Sequence, residues 1–138
     1  MKTLVCPDAH QDLTSLHYCI SQLRDGEVDR VVFLGDVVDS WSSEQWYMDP
    51  MHSPHVCIRA LAEWKKEFGD KFICLVGNHD WAYMRIRNMR MSEVNNAICI
   101  SGLQHENSKL IGNTFDENDG VFQLAACIDG VVYSHAGF

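Results

Sequence analysis

The strongest constraint on the fold is a set of three apolar runs, each followed at once by a polar motif. The runs cover residues 3–6, 30–34 and 71–76. Runs that are apolar at successive positions, rather than at alternate ones, are typical of strands buried on both faces of a parallel sheet. We therefore predict that each run is a parallel strand and that each polar motif lies at the carboxyl end of its strand.

Helical patterns lie between these runs. The first has leucine and isoleucine at helical spacing over residues 13–23, and Asp12 precedes it as an N-cap residue. The second begins at Ser53 and Pro54, a helix start signal, and ends at Gly69. The order strand, helix, strand, helix, strand predicts an α/β fold with right-handed crossovers. In such folds the functional site lies beyond the carboxyl ends of the strands.

The second half of the chain is less regular. Residues 104–120 are polar and contain glycine and asparagine, so we predict a loop there. Residues 121–128 and 131–134 flank an Asp-Gly pair and predict a β-hairpin with a two-residue turn. His135 directly follows the second strand of that hairpin, again at a strand end.

Candidate metal ligands follow the predicted strands. Two divalent cations a few ångström apart need oxygen and nitrogen ligands and a shared carboxylate that offsets their repulsion. Asp8 and His10 are two positions apart, so both side chains can turn toward one ion after the first strand. Asp36 would bridge the ions, and Asn78 and His135 would bind the second one.

Each of these residues alone also has an explanation without a metal. An aspartate after a strand is most often a turn residue or a helix cap, and Asp8, Asp36 and Asp39 each fit that description. We favour a metal site because three separate strand ends carry ligands of matching type.

Charge and cysteine content exclude several classes of protein. The net charge of −8 argues against a nucleic acid duplex as a partner, because such binding needs clustered lysine and arginine. No run is long enough for a signal peptide or a membrane span, so we expect no membrane partner. The six cysteines form no CxxC pair and mostly lie in apolar runs. This pattern predicts reduced core thiols in a cytoplasmic protein.

Four polar motifs stand at the predicted strand ends: Asp8-x-His10, Gly35-Asp36-x-x-Asp39, Gly77-Asn78-His79-Asp80 and His135-Ala136-Gly137. They resemble the motifs of the calcineurin-like metallophosphoesterase superfamily. The fourth motif, His135-Ala136-Gly137, is similar to that of the branch that contains the serine/threonine protein phosphatases and the symmetrical diadenosine tetraphosphate hydrolases. The resemblance implies an α/β fold with a partly parallel sheet and flanking helices, the first part of the αββα sandwich of that superfamily.

The resemblance also implies a ligand set for two divalent metal ions. The residues that match Asp8, His10 and Asp36 hold one metal in this superfamily. Those that match Asp36, Asn78 and His135 hold the other. Oxygen and imidazole ligands of this kind accept Mn, Fe, Zn or Ni, so the identity of the metals stays open.

For catalysis, the resemblance implies that His79 protonates the leaving-group oxygen and that Asp39 pairs with it. A histidine acid needs a carboxylate that fixes its tautomer and keeps it protonated. The implied reaction is in-line attack on phosphorus by a hydroxide that bridges the two metals. The expected substrate is a phosphate ester or nucleotide anhydride, carried by a phosphorylated small molecule, a nucleotide or a phosphoprotein.

Departures from the family pattern leave a second interpretation open. Related phosphatases carry glycine at the position of Gln11 and arginine at that of Ser40. The superfamily also has a further histidine motif and further strands after the one that matches His135. We therefore expect residues 1–138 to form a metallophosphoesterase domain without the C-terminal portion of the family fold. The alternative function is a catalytically weak or inactive metal-binding module that acts through a partner or through self-association of its apolar strands 121–134 into a homo-oligomer.

Overall fold

The computed structural model of the protein describes residues 1–40, 52–86, 89–90, 93, 103–104 and 107–136. Cys99 and Gly137, the last residue of the fourth motif, lie outside these ranges. The elements in chain order are β1 (Thr3–Cys6), α1 (Thr14–Arg24), β2 (Arg30–Phe33), α2 (Pro54–Phe68), β3 (Phe72–Leu75), α3 (Asn78–Ile86), α4 (Ser108–Glu117), β4 (Phe122–Gln123), β5 (Ala125–Ile128) and β6 (Val131–Ser134). Short 3₁₀ turns, Gly69–Lys71 and Asp119–Val121, precede β3 and β4.

The first four strands form one parallel sheet in the order β1-β2-β3-β4. In the register of this sheet, Val32 of β2 lies beside Val5 of β1 and Ile73 of β3. The predicted α/β fold with a parallel sheet and flanking helices is thereby confirmed. Because all these strands run in the same direction, the polar motifs after β1, β2 and β3 meet at one edge of the sheet.

Both faces of β2 are covered, which explains why its sequence is apolar at every position. Val31 and Phe33 belong to the core between the sheet and the helices. Val32 points the other way and packs with Leu75 and with Ala126 of the hairpin. The antiparallel pair β5-β6 therefore lies on the face of the sheet opposite the helices.

Both predicted helices of the first half are present, but the predicted N-cap of α1 is wrong. The N-cap position is Leu13, which makes no side-chain cap bond. Asp12 lies one residue earlier, and its Oδ1 accepts the N–H of Thr14 at 3.0 Å. Helix α2 begins at Pro54 after Ser53, whose backbone is extended. It ends at Gly69, whose positive φ of 57° turns the chain toward β3.

The loop predicted for residues 104–120 is wrong, because helix α4 lies within it. Gly112 and Asn113 indicated a turn, but the low helix propensity of single residues is often outweighed by packing. Ile111 and Phe115, four positions apart, are both buried, and α4 packs against α3 and α2. This spacing was the sequence signal that could have identified the helix.

The hairpin prediction is confirmed for β5 and β6, but residues 121–128 do not form a single strand. The first part, β4, pairs in parallel with β3 and so extends the main sheet. The chain then leaves that sheet at Leu124, which is 66% exposed, and enters the hairpin. The turn residues Asp129 and Gly130 both have positive φ, as a two-residue hairpin turn requires.

Most cysteines of the described residues lie in the core. No helix in that part of the chain is long and apolar enough to cross a membrane. The five cysteines that it contains are all free, and four of them are buried. Burial raises the pKa of Cys6 and of Cys57 to about 12, so these two thiols are unreactive near neutral pH.

Two glycines allow the ends of β2 and β3 to touch. Gly35 has a φ of +105°, a backbone conformation that side chains other than hydrogen rarely permit. A Cβ atom on Gly35 would overlap the main chain of Gly77. A Cβ atom on Gly77 would overlap the main-chain nitrogen and the carboxylate of Asp36. Main chain therefore lies directly against main chain at this point.

We expect Gly77→Ala to destabilise the protein by about 1–3 kcal/mol, the usual cost of overpacking a closely packed position. The reason is the overlap with the Asp36 backbone, which cannot be relieved by rotating a side chain. Urea unfolding followed by circular dichroism measures the change. Gly120→Ala is the matched control, since a Cβ atom there meets nothing within 4 Å. Equal unfolding midpoints for the two variants would contradict the expectation.

Candidate metal centre

The strand ends bring the four other predicted metal ligands, Asp8, His10, Asn78 and His135, around Asp36. The side chain of Asp36 is buried, with 3% of the residue exposed. Asp8, His10 and Asp36 each offer a ligand atom, and these atoms lie within 4.8 Å of one another. On the other side, Nε2 of His135 lies 3.2 Å from Asp36 Oδ2 and 2.9 Å from Asn78 Oδ1.

The two carboxylate oxygens of Asp36 have different surroundings. Oδ1 accepts the main-chain N–H of His79 at 2.9 Å. This N–H lies in the first turn of α3, where the helix dipole favours a negative charge. Oδ2 faces His135 Nε2 at 3.2 Å and His10 Nε2 at 3.9 Å. Oδ1 is thus bound at the terminus of α3, and Oδ2 lies between the imidazoles of His10 and His135.

Main-chain carbonyl groups set the orientation of both imidazoles. Nδ1 of His10 lies 3.0 Å from the carbonyl oxygen of Asp39 and 3.2 Å from that of Val38. Nδ1 of His135 lies 3.0 Å from the carbonyl oxygen of Leu34. Because a carbonyl oxygen only accepts hydrogen bonds, Nδ1 carries the proton in both rings. A neutral ring then presents an unprotonated Nε2, the arrangement in which histidine binds a metal.

These donors fit a divalent cation. With Nδ1 protonated, His135 Nε2, Asp36 Oδ2 and Asn78 Oδ1 are three acceptors that converge on one another. A divalent cation between these lone pairs would satisfy all three acceptors. The neighbouring group formed by Asp8, His10 and Asp36 favours the cation, since it adds a second carboxylate and a second imidazole.

A buried hydrogen-bonded pair, His79 and Asp39, lies beside the ligands. Nδ1 of His79 donates to Asp39 Oδ2 at 2.9 Å, and their side chains are 7% and 1% exposed. The hydroxyl of Tyr83 donates to the other oxygen, Asp39 Oδ1. Burial raises the pKa of Asp39, and the hydrogen bonds from Tyr83 and His79 oppose that rise. The ring of His79 stands edge-on to that of His10, with 5.2 Å between their centroids.

Asp80 has a structural role that sequence reasoning did not assign. Its carboxylate is fully buried and accepts the main-chain N–H groups of Asp36 at 2.8 Å, Val37 at 2.9 Å and Gly77 at 3.0 Å. Burial raises the pKa of Asp80 to about 7, and the nearby Asp36 carboxylate adds to the rise, while the three N–H groups oppose it. Asp80 therefore joins the loops after β2 and β3. Its place beside Asn78 and His79 in the third motif was the only sequence signal for this role.

The backbone around the ligands is strained at positions that sequence patterns did not reveal. His10, Gln11, Asp36 and Asp39 have positive φ angles of 44°, 68°, 52° and 60°. Such a conformation costs a residue other than glycine on the order of 1–3 kcal/mol and is concentrated at functional sites. The surrounding hydrogen bonds must therefore hold these loops in place.

A parallel sheet with carboxylates and imidazoles at its carboxyl edge is suited to binding divalent metal ions. The whole chain, residues 1–138, matches the model of the calcineurin-like phosphoesterase family. The chain therefore belongs to this family, as its motifs indicated. None of the curated proteins with which it was compared matches the chain. Membership implies hydrolase activity in general and the use of divalent metals.

We expect Asp36→Asn to abolish stabilisation of the fold by Mn²⁺. The amide oxygen can still accept the N–H of His79, but the charge shared by both groups of ligands is lost. A ligand at a hundredfold its Kd adds about 2.7 kcal/mol to the free energy of unfolding. Thermal unfolding with and without Mn²⁺ measures this gain. Asp119→Asn, in an exposed 3₁₀ turn, is the control and should keep the wild-type gain; a similar gain in Asp36→Asn would overturn the expectation.

Proposed function

We propose that the protein is a dinuclear metal-dependent phosphoesterase that hydrolyses a phosphate ester or a nucleotide anhydride. One observation carries the proposal: Oδ2 of Asp36 faces ligand nitrogens from two separate groups, His10 on one side and His135 on the other. A single carboxylate oxygen in that position suits a bridge between two cations. Membership of the calcineurin-like phosphoesterase family supports the reaction class.

The residues divide into two ligand sets that share Asp36. Asp8, His10 and Asp36 would hold one cation, and Asp36, Asn78 and His135 the other. When bound, such cations lower the pKa of water and offset negative charge on the phosphoryl oxygens. Asp8 and Asn78 are exposed, so substrate can approach this edge of the sheet from solvent.

His79 is the proposed acid, and Asp39 is its partner. Because Nδ1 donates to Asp39, the proton that reaches the leaving-group oxygen comes from Nε2. The Asp39 carboxylate stabilises the imidazolium form that carries both protons. As the bond between phosphorus and the leaving oxygen breaks, this proton prevents a basic alkoxide from forming. Substrates in this proposal are phosphorylated small molecules, nucleotides or phosphoproteins.

A second candidate function is a metal-binding module that acts through self-association. It is favoured by the outer face of the hairpin, where the paired residues Cys127 and Val132 are both exposed. Val131 and Leu124 add further exposed apolar surface, with 52% and 66% of each residue accessible. Exposed apolar patches of this kind often mark interfaces. Sedimentation of the Mn²⁺-loaded protein tests this candidate, and a monomer at all concentrations counts against it.

We expect His79→Ala to lower the rate of phenyl phosphate hydrolysis by about 10²–10⁴-fold, the usual contribution of a positioned acid. Phenolate is a poor leaving group, so its departure depends on protonation. The measurement is the release of phenol by Mn²⁺-loaded protein, with metal content determined in the same sample. His17→Gln, which changes an exposed histidine of α1, should keep the wild-type rate.

Two results would contradict the proposal in different ways. A His79→Ala rate equal to that of the wild type would remove His79 from the reaction. A wild-type rate equal to the blank, with metal bound, would favour the metal-binding module instead.

A further inference from the structure

We propose that Tyr83, Gln104 and Gln11 form a positioning network that fixes Asp39 against His79 and so determines how well the protein protonates poor leaving groups. This role rests on the proposed phosphoesterase function and deepens it. None of the three residues belongs to the ligand motifs, and the chain brings them together from three separate segments.

Tyr83 is the first member of the network and contacts Asp39 directly. Its side chain is fully buried, and its hydroxyl donates to Asp39 Oδ1. The same hydroxyl accepts the main-chain N–H of Gln104 at 2.7 Å. A phenol has a single hydrogen, and the Gln104 N–H occupies a lone pair of the oxygen. The hydrogen is therefore directed at Asp39, whose other oxygen receives His79 Nδ1–H.

Gln104 and Gln11 link this network to the main chain beside Asp39. Nε2 of Gln104 donates to Oε1 of Gln11 at 3.1 Å. The main-chain N–H of Ser40, the residue after Asp39, donates to the same oxygen at 3.0 Å. Nε2 of Gln11 donates in turn to the carbonyl oxygen of His52 at 2.6 Å. Asp39 is thus held both at its carboxylate and at the following peptide group.

Gln11 is a buried polar residue whose side-chain oxygen and nitrogen are both hydrogen-bonded. Gln11 is 0% exposed, and its φ of 68° lies in the left-handed region. A buried carboxamide destabilises a fold unless its oxygen and nitrogen are both bonded, and an apolar side chain would fill the same space without that requirement. Here the oxygen accepts two hydrogen bonds and the nitrogen donates one. Such a satisfied network specifies one arrangement of the loops it joins.

A change in this arrangement should affect protonation more than the other steps. Displacement of a reacting group by about 1 Å can cost on the order of 10²-fold in rate. A leaving group such as p-nitrophenolate departs without a proton, whereas phenolate requires one. Loss of the network should therefore lower the hydrolysis rate mainly with phenyl phosphate. A merely structural role would lower the rates with both substrates to the same extent.

The kinetic test compares kcat/KM for p-nitrophenyl phosphate and phenyl phosphate in Mn²⁺-loaded wild type, Tyr83→Phe and Gln104→Ala. We expect both variants to lose at least about tenfold more activity on phenyl phosphate than on p-nitrophenyl phosphate, because misplacement of the acid affects the substrate whose leaving group needs a proton. Gln104 is partly exposed, so its variant remains informative if Tyr83→Phe fails to fold. Tyr18→Phe and Gln22→Ala, both on α1, are the matched controls and should retain wild-type ratios. Equal losses on the two substrates would overturn the inference.

A spectroscopic test separates this inference from the proposed function. In metal-free protein labelled with ¹⁵N-histidine, the Nδ1 proton of His79 should give a downfield, slowly exchanging resonance because it is buried and bound to Asp39. Tyr83→Phe and Gln104→Ala should shift this resonance and accelerate its exchange, whereas Gln22→Ala should not. An unchanged resonance in both network variants overturns the inference whatever the activity. Suppose that the wild type hydrolyses neither phenyl phosphate nor p-nitrophenyl phosphate, yet the resonance changes in both network variants. That result overturns the proposed function and leaves the positioning of Asp39 by the network in place.

Discussion

The arrangement of this protein depends on the hydrogen bonds that the buried Asp80 carboxylate accepts from two loops. The N–H groups come from Asp36 and Val37 after β2 and from Gly77 after β3. The loops can lie this close because neither Gly35 nor Gly77 has a Cβ atom. As a result the Asp36 carboxylate reaches the first turn of α3, and its second oxygen points to the candidate ligands. The hydrogen bonds of Asp80 thereby couple the sheet, helix α3 and the candidate metal site.

This coupling places negative charge where it is costly unless a cation is present. The Asp36 charge helps to raise the pKa of Asp80, which shows that the two carboxylates interact unfavourably. Main-chain N–H groups and the terminus of α3 offset part of this repulsion. A bound divalent cation would offset the rest, because it interacts with Asp8 and Asp36 directly. Metal binding and local stability are thus expected to be linked.

The fold and the positions of the candidate ligands were predictable because their causes are local in the sequence. A strand covered on both faces must be apolar at successive positions, and Val31, Val32 and Phe33 are indeed fully buried. The candidate ligands follow strands directly, at spacings that match known motifs. The sequence of helix α4 carries conflicting signals, because Gly112 and Asn113 favour a turn whereas Ile111 and Phe115 have helical spacing.

The support of the site was not predictable, since it depends on contacts between distant segments. Tyr83 and Gln104 are 21 positions apart, and Gln104 and Gln11 are 93 apart, so no periodic pattern relates them. The left-handed backbone at Gln11 and Asp36 gives no sequence signal either, because neither residue is glycine. Tertiary hydrogen bonds decide these conformations and override the local preferences.

Whether two ions share the Asp36 carboxylate is tested most directly by electron paramagnetic resonance during titration with Mn²⁺. Two ions bridged by this carboxylate should bind in a ratio of two per chain and give an exchange-coupled signal. That result is predicted from the position of Asp36 Oδ2 between His10 and His135. Saturation at one ion per chain, or two ions with the spectrum of isolated Mn²⁺, would contradict the bridging role of Asp36.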